Sequence, residues 1–413
     1  MDPMAISAPL DVVLTNTASG KAYEDYASPD HNSFLLSTPP LKWGILGTGR
    51  ICNDFTQSLK LIPSAEVVAC ASRNSLPGAE GFAEKHGIPR SYGTYEQMCG
   101  DEDVEIVYVG NVHLFRREVG EMVLKAGKHC LLEKPIALSK SDAVYLTSLA
   151  SSLNLFLSEG MWTRYFPAIE HVRSLISDCK IGTVTAFKSD FHFHTPDQES
   201  YPGSPLYDPR LAGGSAMYLA SYPISGSLCC FPTWPDKVVC NGIIDGATGV
   251  DTQGTISLRF PPPPGAASAA PGERLDGMGG GMANLDFGFL GESAEETTII
   301  GTGGRIVVHG PAHCPTKVTV HVKVPGSVRG EASVTEAEFP LPRVTEEVRE
   351  SGGFYYPNSQ GLAYEASAVA RCVARGERET PQYTAEESVK VMEIIDEYRK
   401  HGAGLCGLFR CQR

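Results

Sequence analysis

Between Leu41 and Ser158 the chain alternates between short apolar runs and helical stretches, and this alternation restricts its fold more than any other feature. Leu41 to Leu46, Glu66 to Ala71, Val104 to Val109, Lys128 to Leu132 and Asn154 to Ser158 read as strands. Apolar runs of this length, bounded by turn residues, suit strands buried on both faces. Helical patterns run to Leu61, from Pro77 to His86, from Phe115 to Ala126 and from Ser139 to Ser152, with Ser139 placed as an N-cap. Strand and helix in this succession predict a parallel, doubly wound sheet.

After Glu159 the pattern changes. A helix to about Ser177 is followed by Thr183 to His194, which alternates like a half-exposed strand. Strand patterns then dominate at Lys237 to Ile244, Thr255 to Phe260, Glu296 to Ile300, Arg305 to Val308 and Lys317 to Val324. Such a run predicts a mostly antiparallel sheet. Two helices close the pattern, Leu362 to Arg375 and Ala385 to Lys400, with Gly376 and Gly402 at their ends. A chain of 413 residues is long for one core, so two domains are expected. The predicted class is α/β: an N-terminal Rossmann domain over 41–160, then a C-terminal α+β domain over 161–413. Residues 1–40 are polar and aperiodic and read as a disordered tail. Pro261 to Met282, rich in Pro, Gly and Ala, reads as a flexible inserted loop.

The first strand runs into Gly47-Thr48-Gly49-Arg50-Ile51-Cys52 and then a helix. The first glycine permits a tight turn, and the second lets the backbone approach a pyrophosphate. The amides and dipole at the start of the helix favour that negative charge. The third position needs only a small residue, and Cys52 serves. A lone pattern of this kind is weak, but here it follows a strand, opens a helix and starts a βαβ unit. The second strand ends at Ser72-Arg73, where an acid would select NAD through its ribose hydroxyls. A hydroxyl and a guanidinium suit the extra phosphate of NADP instead, so NADP is expected rather than NAD. A plain surface arginine is the alternative for Arg73.

In open α/β sheets, ligands bind outside the carboxyl ends of the strands. Three such ends carry polar groups: Gly110-Asn111-Val112-His113, Glu133-Lys134-Pro135 and Met161-Trp162-Thr163-Arg164. Gly110, Asn111, His113, Glu133 and Lys134 are candidates to line a cofactor. Pro135 restricts Lys134, so that this lysine is held. Trp162 and Arg164 are candidates for the mouth of the site, with a buried structural arginine as the alternative. His192 and His194 share one strand face but lack a third ligand at suitable spacing, so no metal is expected.

Composition excludes some classes. The net charge of -13 argues against nucleic acid or an anionic membrane as partner. No apolar run approaches the ~20 residues that span a bilayer, and the tail lacks the apolar core of a secretory signal. The 12 cysteines form no Cys-x-x-Cys sets, and Cys70, Cys130, Cys229 and Cys230 sit in apolar runs. Reduced thiols in a cytoplasmic protein are expected.

In order along the chain, Gly47-x-Gly49, Glu133-Lys134-Pro135, Trp162-Thr163-Arg164-Tyr165-Phe166-Pro167 and Gly213-Gly214 resemble the glucose–fructose oxidoreductase/inositol dehydrogenase (Gfo/Idh/MocA) family. The tryptophan-containing run, with Asn358-Ser359-Gln360-Gly361-Leu362-Ala363-Tyr364-Glu365-Ala366, resembles its branch of dimeric trans-dihydrodiol dehydrogenases, also described as NADP-dependent D-xylose dehydrogenases. The resemblance covers about residues 41–402. It implies a Rossmann domain followed by an α+β domain whose large, open sheet forms a homodimer contact. It also implies a lysine, here Lys134, near the nicotinamide and the reacting hydroxyl of a sugar or diol. An acid/base group then follows the Gly-Gly pair, and Tyr222 falls on that position. Relatives carry Asp four residues earlier, where this chain has Tyr218; both tyrosines become candidate substrate contacts. Pro223 blurs the helix geometry there. Arg116 stands where relatives often have His. The expected activity is hydride transfer between a sugar or dihydrodiol carbon and NADP, with Tyr222 taking the hydroxyl proton. A nucleotide-binding sensor with little catalysis is the alternative, kept open by Tyr218.

Overall fold

The structure, a computed structural model, describes residues 33–195, 201–263, 280–324 and 331–402. Its packing falls into two compact units. Among the described residues the first unit comprises 33–166 and 340–392, and the second comprises 167–339 and 393–402.

The first unit holds six strands: β1 (Leu41–Leu46), β2 (Ala65–Ala71), β3 (Arg90–Tyr92), β4 (Ile106–Val109), β5 (His129–Glu133) and β6 (Leu157–Gly160). They lie in the order β3-β2-β1-β4-β5-β6, and every pair is parallel. Five helices connect them: α1 (Arg50–Leu59), α2 (Leu76–His86), α3 (Tyr95–Cys99), α4 (Arg116–Lys125) and α5 (Lys140–Leu153). Local chemistry sets their ends. The Ser75 hydroxyl accepts the Gly78 N–H at the start of α2, and Gly87, at φ 72°, ends it. Ser139 caps α5 by accepting the Asp142 N–H, as the sequence suggests. Asn154, at φ 59°, turns the chain out of α5, so β6 begins at Leu157 instead of Asn154. The short β3 and α3 carry too little periodicity to be read beforehand.

The second unit opens with α6 (Pro167–Ser177) and is built on eight strands. These are β7 (Val184–His192), β8 (Lys237–Ile244), β9 (Asp251–Phe260), β10 (Gly281–Gly288), β11 (Thr297–Gly301), β12 (Gly304–Val308), β13 (Lys317–Lys323) and β14 (Ala332–Glu338). Their order is β14-β13-β12-β11-β7-β10-β9-β8, and only the β7–β10 pair is parallel. β10 starts inside the stretch read as an inserted loop; residues 264–279 of that stretch lie outside the described residues. β14 escapes sequence reading because most of it is exposed and polar. Between β7 and β8, a π-helical turn (Ala216–Ala220) runs into α7 (Ser221–Leu228).

The chain then returns to the first unit, a step that a single boundary near residue 160 omits. The returning segment 340–392 contains α8 (Glu346–Glu350), α9 (Leu362–Ala374) and the start of α10 (Ala385–Glu397). Asp54 of α1, fully buried, accepts the N–H groups of Tyr355 (2.8 Å) and Tyr356 (2.9 Å) and the Ser359 hydroxyl (2.7 Å). Gln57 donates to the carbonyls of Val348, Ser351 and Gly353. A buried carboxylate needs such donors, and here they arrive about 300 residues later in the chain. The expected disordered tail also needs correction at its end. Ser33–Leu36 is a helical turn, Leu35 is buried, and Thr38 hydrogen-bonds Ser367 of α9 at 2.7 Å. Residues 1–32 lie outside the described residues. Among the described residues, no helix is long and apolar enough to cross a membrane.

Candidate active site

The strand order of the first sheet reverses between β1 and β4, so a crevice opens at their carboxyl ends. Three loops meet this edge: Gly47–Gly49 after β1, Gly110–His113 after β4 and Lys134 after β5. The two glycines after β1 have different causes. Gly47 has φ +110°, which L side chains rarely adopt, and a Cβ there would lie 2.9 Å from Cys52 Sγ. Gly49 has ordinary extended backbone, and a Cβ there would meet nothing within 4 Å. The protein's own packing therefore does not demand glycine at 49; the open space before α1 is what a pyrophosphate would fill. Thr48, Gly49 and Arg50 are exposed around that space, with Ile51 half-buried. Cys52, at the third fingerprint position, is fully buried. Its Sγ faces the carbonyls of Leu46 (3.6 Å) and Gly110 (3.5 Å). Burial pushes the thiol up to about 12, so it is a packing residue.

At the end of β2, Ser72 is half-buried and Arg73 exposed, with the Arg73 guanidinium 3.4 Å above the Phe115 ring. Stacking holds the charge in one place while leaving its edge free to meet an anion. Asn111 supplies a second sign of a ligand. Both polar atoms of its side chain are buried and have no hydrogen-bond partner among the described residues. Buried amides are normally satisfied, and a dinucleotide crossing this edge would offer the missing partners. The residues present thus fit a nicotinamide dinucleotide. His113 is buried in a 3-10 turn between β4 and α4.

Glu133 and Lys134 carry the strongest electrostatics. Glu133 is buried, with Oε1 accepting the Tyr108 hydroxyl (2.9 Å) and Oε2 accepting the Lys134 N–H (3.0 Å). Tyr108 in turn stacks on Phe55 of α1 at 3.8 Å. The Lys134 ammonium is mostly buried, and burial pulls its pKa down to about 8. Arg116 pushes in the same direction, while Glu133 and Glu159 oppose it. Behind it, burial lifts Glu159 to about 7. Glu365 of α9 is fully buried, with both oxygens unpartnered among the described residues. Burial, reinforced by Glu133 and Glu159, drives its pKa well above the ordinary carboxylate value.

Sequence reading gave no role to Arg116 or Glu365. Arg116 is buried and donates to the carbonyls of Pro135 (2.6 Å) and Asn111 (3.3 Å), tying the loops after β4 and β5 together. A signal for Glu365 was available, since it falls among apolar residues on the buried face of its helix.

From sequence, Trp162 and Arg164 are candidates for the mouth of the site. Both are buried, and Arg164 pairs with Glu387 of α10 at 2.9 Å, beside the Tyr383 ring. The buried structural arginine is the reading that the packing supports. The two branch-specific motifs in fact pack on one another. Phe166 meets Tyr364 edge to face at 5.6 Å, a Cβ on Gly361 would lie 2.0 Å from Phe166, and the Tyr165 hydroxyl bonds Thr380.

Tyr218 and Tyr222 belong to the second unit and are both half-buried. Tyr218 lies in the π-helical turn and faces Phe289, and Tyr222 lies in the first turn of α7. The simple rule that residues four apart share a helical face does not carry over a π turn. Pro223 accounts for the irregularity, since it has no N–H to return to the carbonyl of Leu219. Asp251, buried, accepts the Ser215 hydroxyl (2.7 Å) and the Ala216 N–H (2.8 Å) and so anchors the start of this helix. His192 pairs with Asp286 at 2.7 Å, a contact within the sheet.

Known proteins place this arrangement. Residues 41–161 match the model of an oxidoreductase family with an NAD-binding Rossmann fold, and residues 169–307 match the GFO/IDH/MocA C-terminal domain. The trans-1,2-dihydrobenzene-1,2-diol dehydrogenase of Sus scrofa is 32% identical, over 87% of this chain and 96% of its own. That of Xenopus laevis is 31% identical, over 86% and 96%. Among solved structures, a levoglucosan dehydrogenase in complex with NADH and levoglucosan matches with TM-score 0.73 at 15% identity, over 88% of this chain and 98% of that one. A 3-ketoreductase from Actinomadura kijaniata with NADP matches with TM-score 0.69 at 21% identity and the same coverage. The chain belongs to the GFO/IDH/MocA family of oxidoreductases, as an NAD(P)-dependent enzyme.

Proposed function

We propose that this chain is an NADP-dependent dehydrogenase acting on a hydroxyl-bearing carbon of a trans-dihydrodiol or of an aldopyranose such as D-xylose. The observation that carries the reading is the similarity to dihydrodiol dehydrogenases over 86–87% of this chain, joined to a mostly buried lysine of depressed pKa at the end of β5. The first unit binds the cofactor, and the loops after β1, β2, β4 and β5 hold it. Ser72 and Arg73 receive the 2′-phosphate, which is why NADP is preferred over NAD. When bound, the nicotinamide supplies the hydride acceptor. Lys134 hydrogen-bonds the substrate oxygen and favours its negative charge as it develops. Tyr222 takes the hydroxyl proton, work typically worth about 10²–10⁴-fold. Tyr218 contacts substrate in place of the carboxylate that relatives carry.

The eight-stranded sheet supports a homodimer. Val239 and Ile243 of β8 and Met282 of β10 are each at least half exposed, and apolar sheet faces of this kind are usually covered. The buried cysteines suit a reducing, cytoplasmic setting.

The test is NADPH formation by the purified protein with NADP+ and a panel of trans-dihydrodiols, D-xylose, D-glucose, other aldoses and myo-inositol. Saturable turnover on a diol or pyranose, lost in Tyr222→Phe, is the expected result. Turnover on none of them, or near-normal turnover by Tyr222→Phe, overturns the reading.

A further inference from the structure

Tyr222 packs against two rings of its own unit. Phe191 of β7 lies 5.4 Å away, tilted by 57°, and His313 lies at the same distance and tilt. Phe191 and His313 are themselves stacked, 4.5 Å apart and 12° from parallel. The three rings form one cluster in which His313 is the polar member.

His313 is held from behind. Its Nδ1 lies 2.9 Å from Glu295 Oε2, and the two side chains are only 12% and 18% exposed. A carboxylate can only accept, so Nδ1 carries the proton; Nε2 faces Cys314 Sγ at 3.4 Å. Glu295 adopts φ +49°, a conformation that L residues take at a cost. It is fixed there by its N–H to Asp190 (3.0 Å) and Ser293 (3.2 Å) and by its carbonyl, which accepts the Ala312 N–H (2.8 Å). A mostly buried carboxylate–imidazole hydrogen bond is a poor source of stability compared with apolar side chains of similar size. Its retention beside a tyrosine, on a strained backbone, points to a local task.

We infer that His313, held by Glu295, is a positioning residue for Tyr222: it orients the phenol ring and sets the pH at which that phenol gives up its proton. The inference rests on the proton-transfer role proposed for Tyr222. It also answers the missing carboxylate at position 218, because an acid–imidazole pair reaches Tyr222 from the neighbouring loops. Titratable groups beside the cluster include Glu295 at Nδ1, Cys314 at Nε2 and Asp190 behind Glu295. Replacing His313 by an apolar residue leaves the Glu295 carboxylate unpaired near Tyr222. That charge opposes the phenolate and moves its titration upward.

The test compares His313→Phe and His313→Leu, which delete the pair, with His313→Gln, whose amide still donates to Glu295. Tyr222 is followed in the full-length protein by NMR of 13C-labelled tyrosine, assigned by its absence in Tyr222→Phe. Both apolar variants should raise the Tyr222 midpoint by about one pH unit, and His313→Gln should hold it within about 0.3 unit. In turnover, the apolar variants should lose about tenfold in kcat near neutral pH, regain it at alkaline pH and keep the KM for NADP. An equal loss at every pH, or a midpoint that is the same in all three variants, overturns the inference. Near-normal turnover by Tyr222→Phe would instead remove the underlying reading. An inactive Tyr222→Phe with an unmoved midpoint in His313→Phe would remove only the role of His313.

Discussion

A methyl group added at Gly110 has nowhere to go. Its carbon would lie 2.3 Å from Cys52 Sγ and 3.0 Å from the Tyr108 ring, where ordinary contact begins at 3.4 Å. Neither neighbour can retreat. Cys52 is fully buried and backed by Gly47 and the Leu46 carbonyl, and Tyr108 is stacked on Phe55. Overpacking of this size costs about 1–3 kcal/mol. At about 2–4 °C per kcal/mol, Gly110→Ala should lower the melting midpoint of the first unit by roughly 2–12 °C. Cys52→Ala alone removes one buried sulfur and should cost about 1 kcal/mol. Combined, the two changes should be better tolerated than their sum, with a coupling of about 1–2 kcal/mol, because the smaller residue at 52 vacates the space that the methyl needs. Denaturant unfolding followed by tryptophan fluorescence reads all four proteins, since Trp43 is fully buried in β1. A Gly110→Ala protein as stable as the parent would refute the reasoning, and so would a cost that persists undiminished with alanine at 52.

Lys134→Met should abolish turnover while leaving NADP binding measurable by fluorescence. Because folding lowers the Lys134 pKa from 10.5 to about 8, the parent should gain stability as pH rises through that window, by at most about 3 kcal/mol, and Lys134→Met should lack the gain. Glu159 has the opposite sign: its pKa rises on folding from 4.5 to about 7, so stability is lost as pH climbs between these values, and Glu159→Gln should flatten the pH–stability curve there. Arg73→Ala should raise the KM for NADP about tenfold or more and leave that for NAD nearly unchanged, measured as initial rates with each cofactor.

The parallel sheet was legible because all but the short β3 are apolar runs, and because some helices begin at a recognisable cap, as Ser139 shows. The phosphate turn was legible because two glycines with separable causes sit at its bend. What escaped is what depends on partners distant in the chain. In the sequence Arg116 only stands where relatives often have His, and its role shows once Pro135 and Asn111 are seen to offer it their carbonyls. Trp162 and Arg164 follow a strand end as ligand-binding residues do, and the ion-pair partner of the arginine, Glu387, lies more than 200 residues on. The pairing of His313 with Glu295 joins two loops that have no periodic signal. The π turn before Tyr222 had one clue, Pro223, which blurred the geometry without specifying it.

The return of residues 340–392 to the first unit has a consequence for the order of synthesis. When residue 166 leaves the ribosome, all six strands of the parallel sheet exist, yet Asp54 has none of the three donors that neutralise its burial. Phe166 lacks Tyr364, and Arg164 lacks Glu387. The nascent Rossmann half must therefore wait, incompletely closed, through more than 170 further residues before its last helices emerge. The unit whose strands are made first thus completes its packing only with helices made near the end of the described residues.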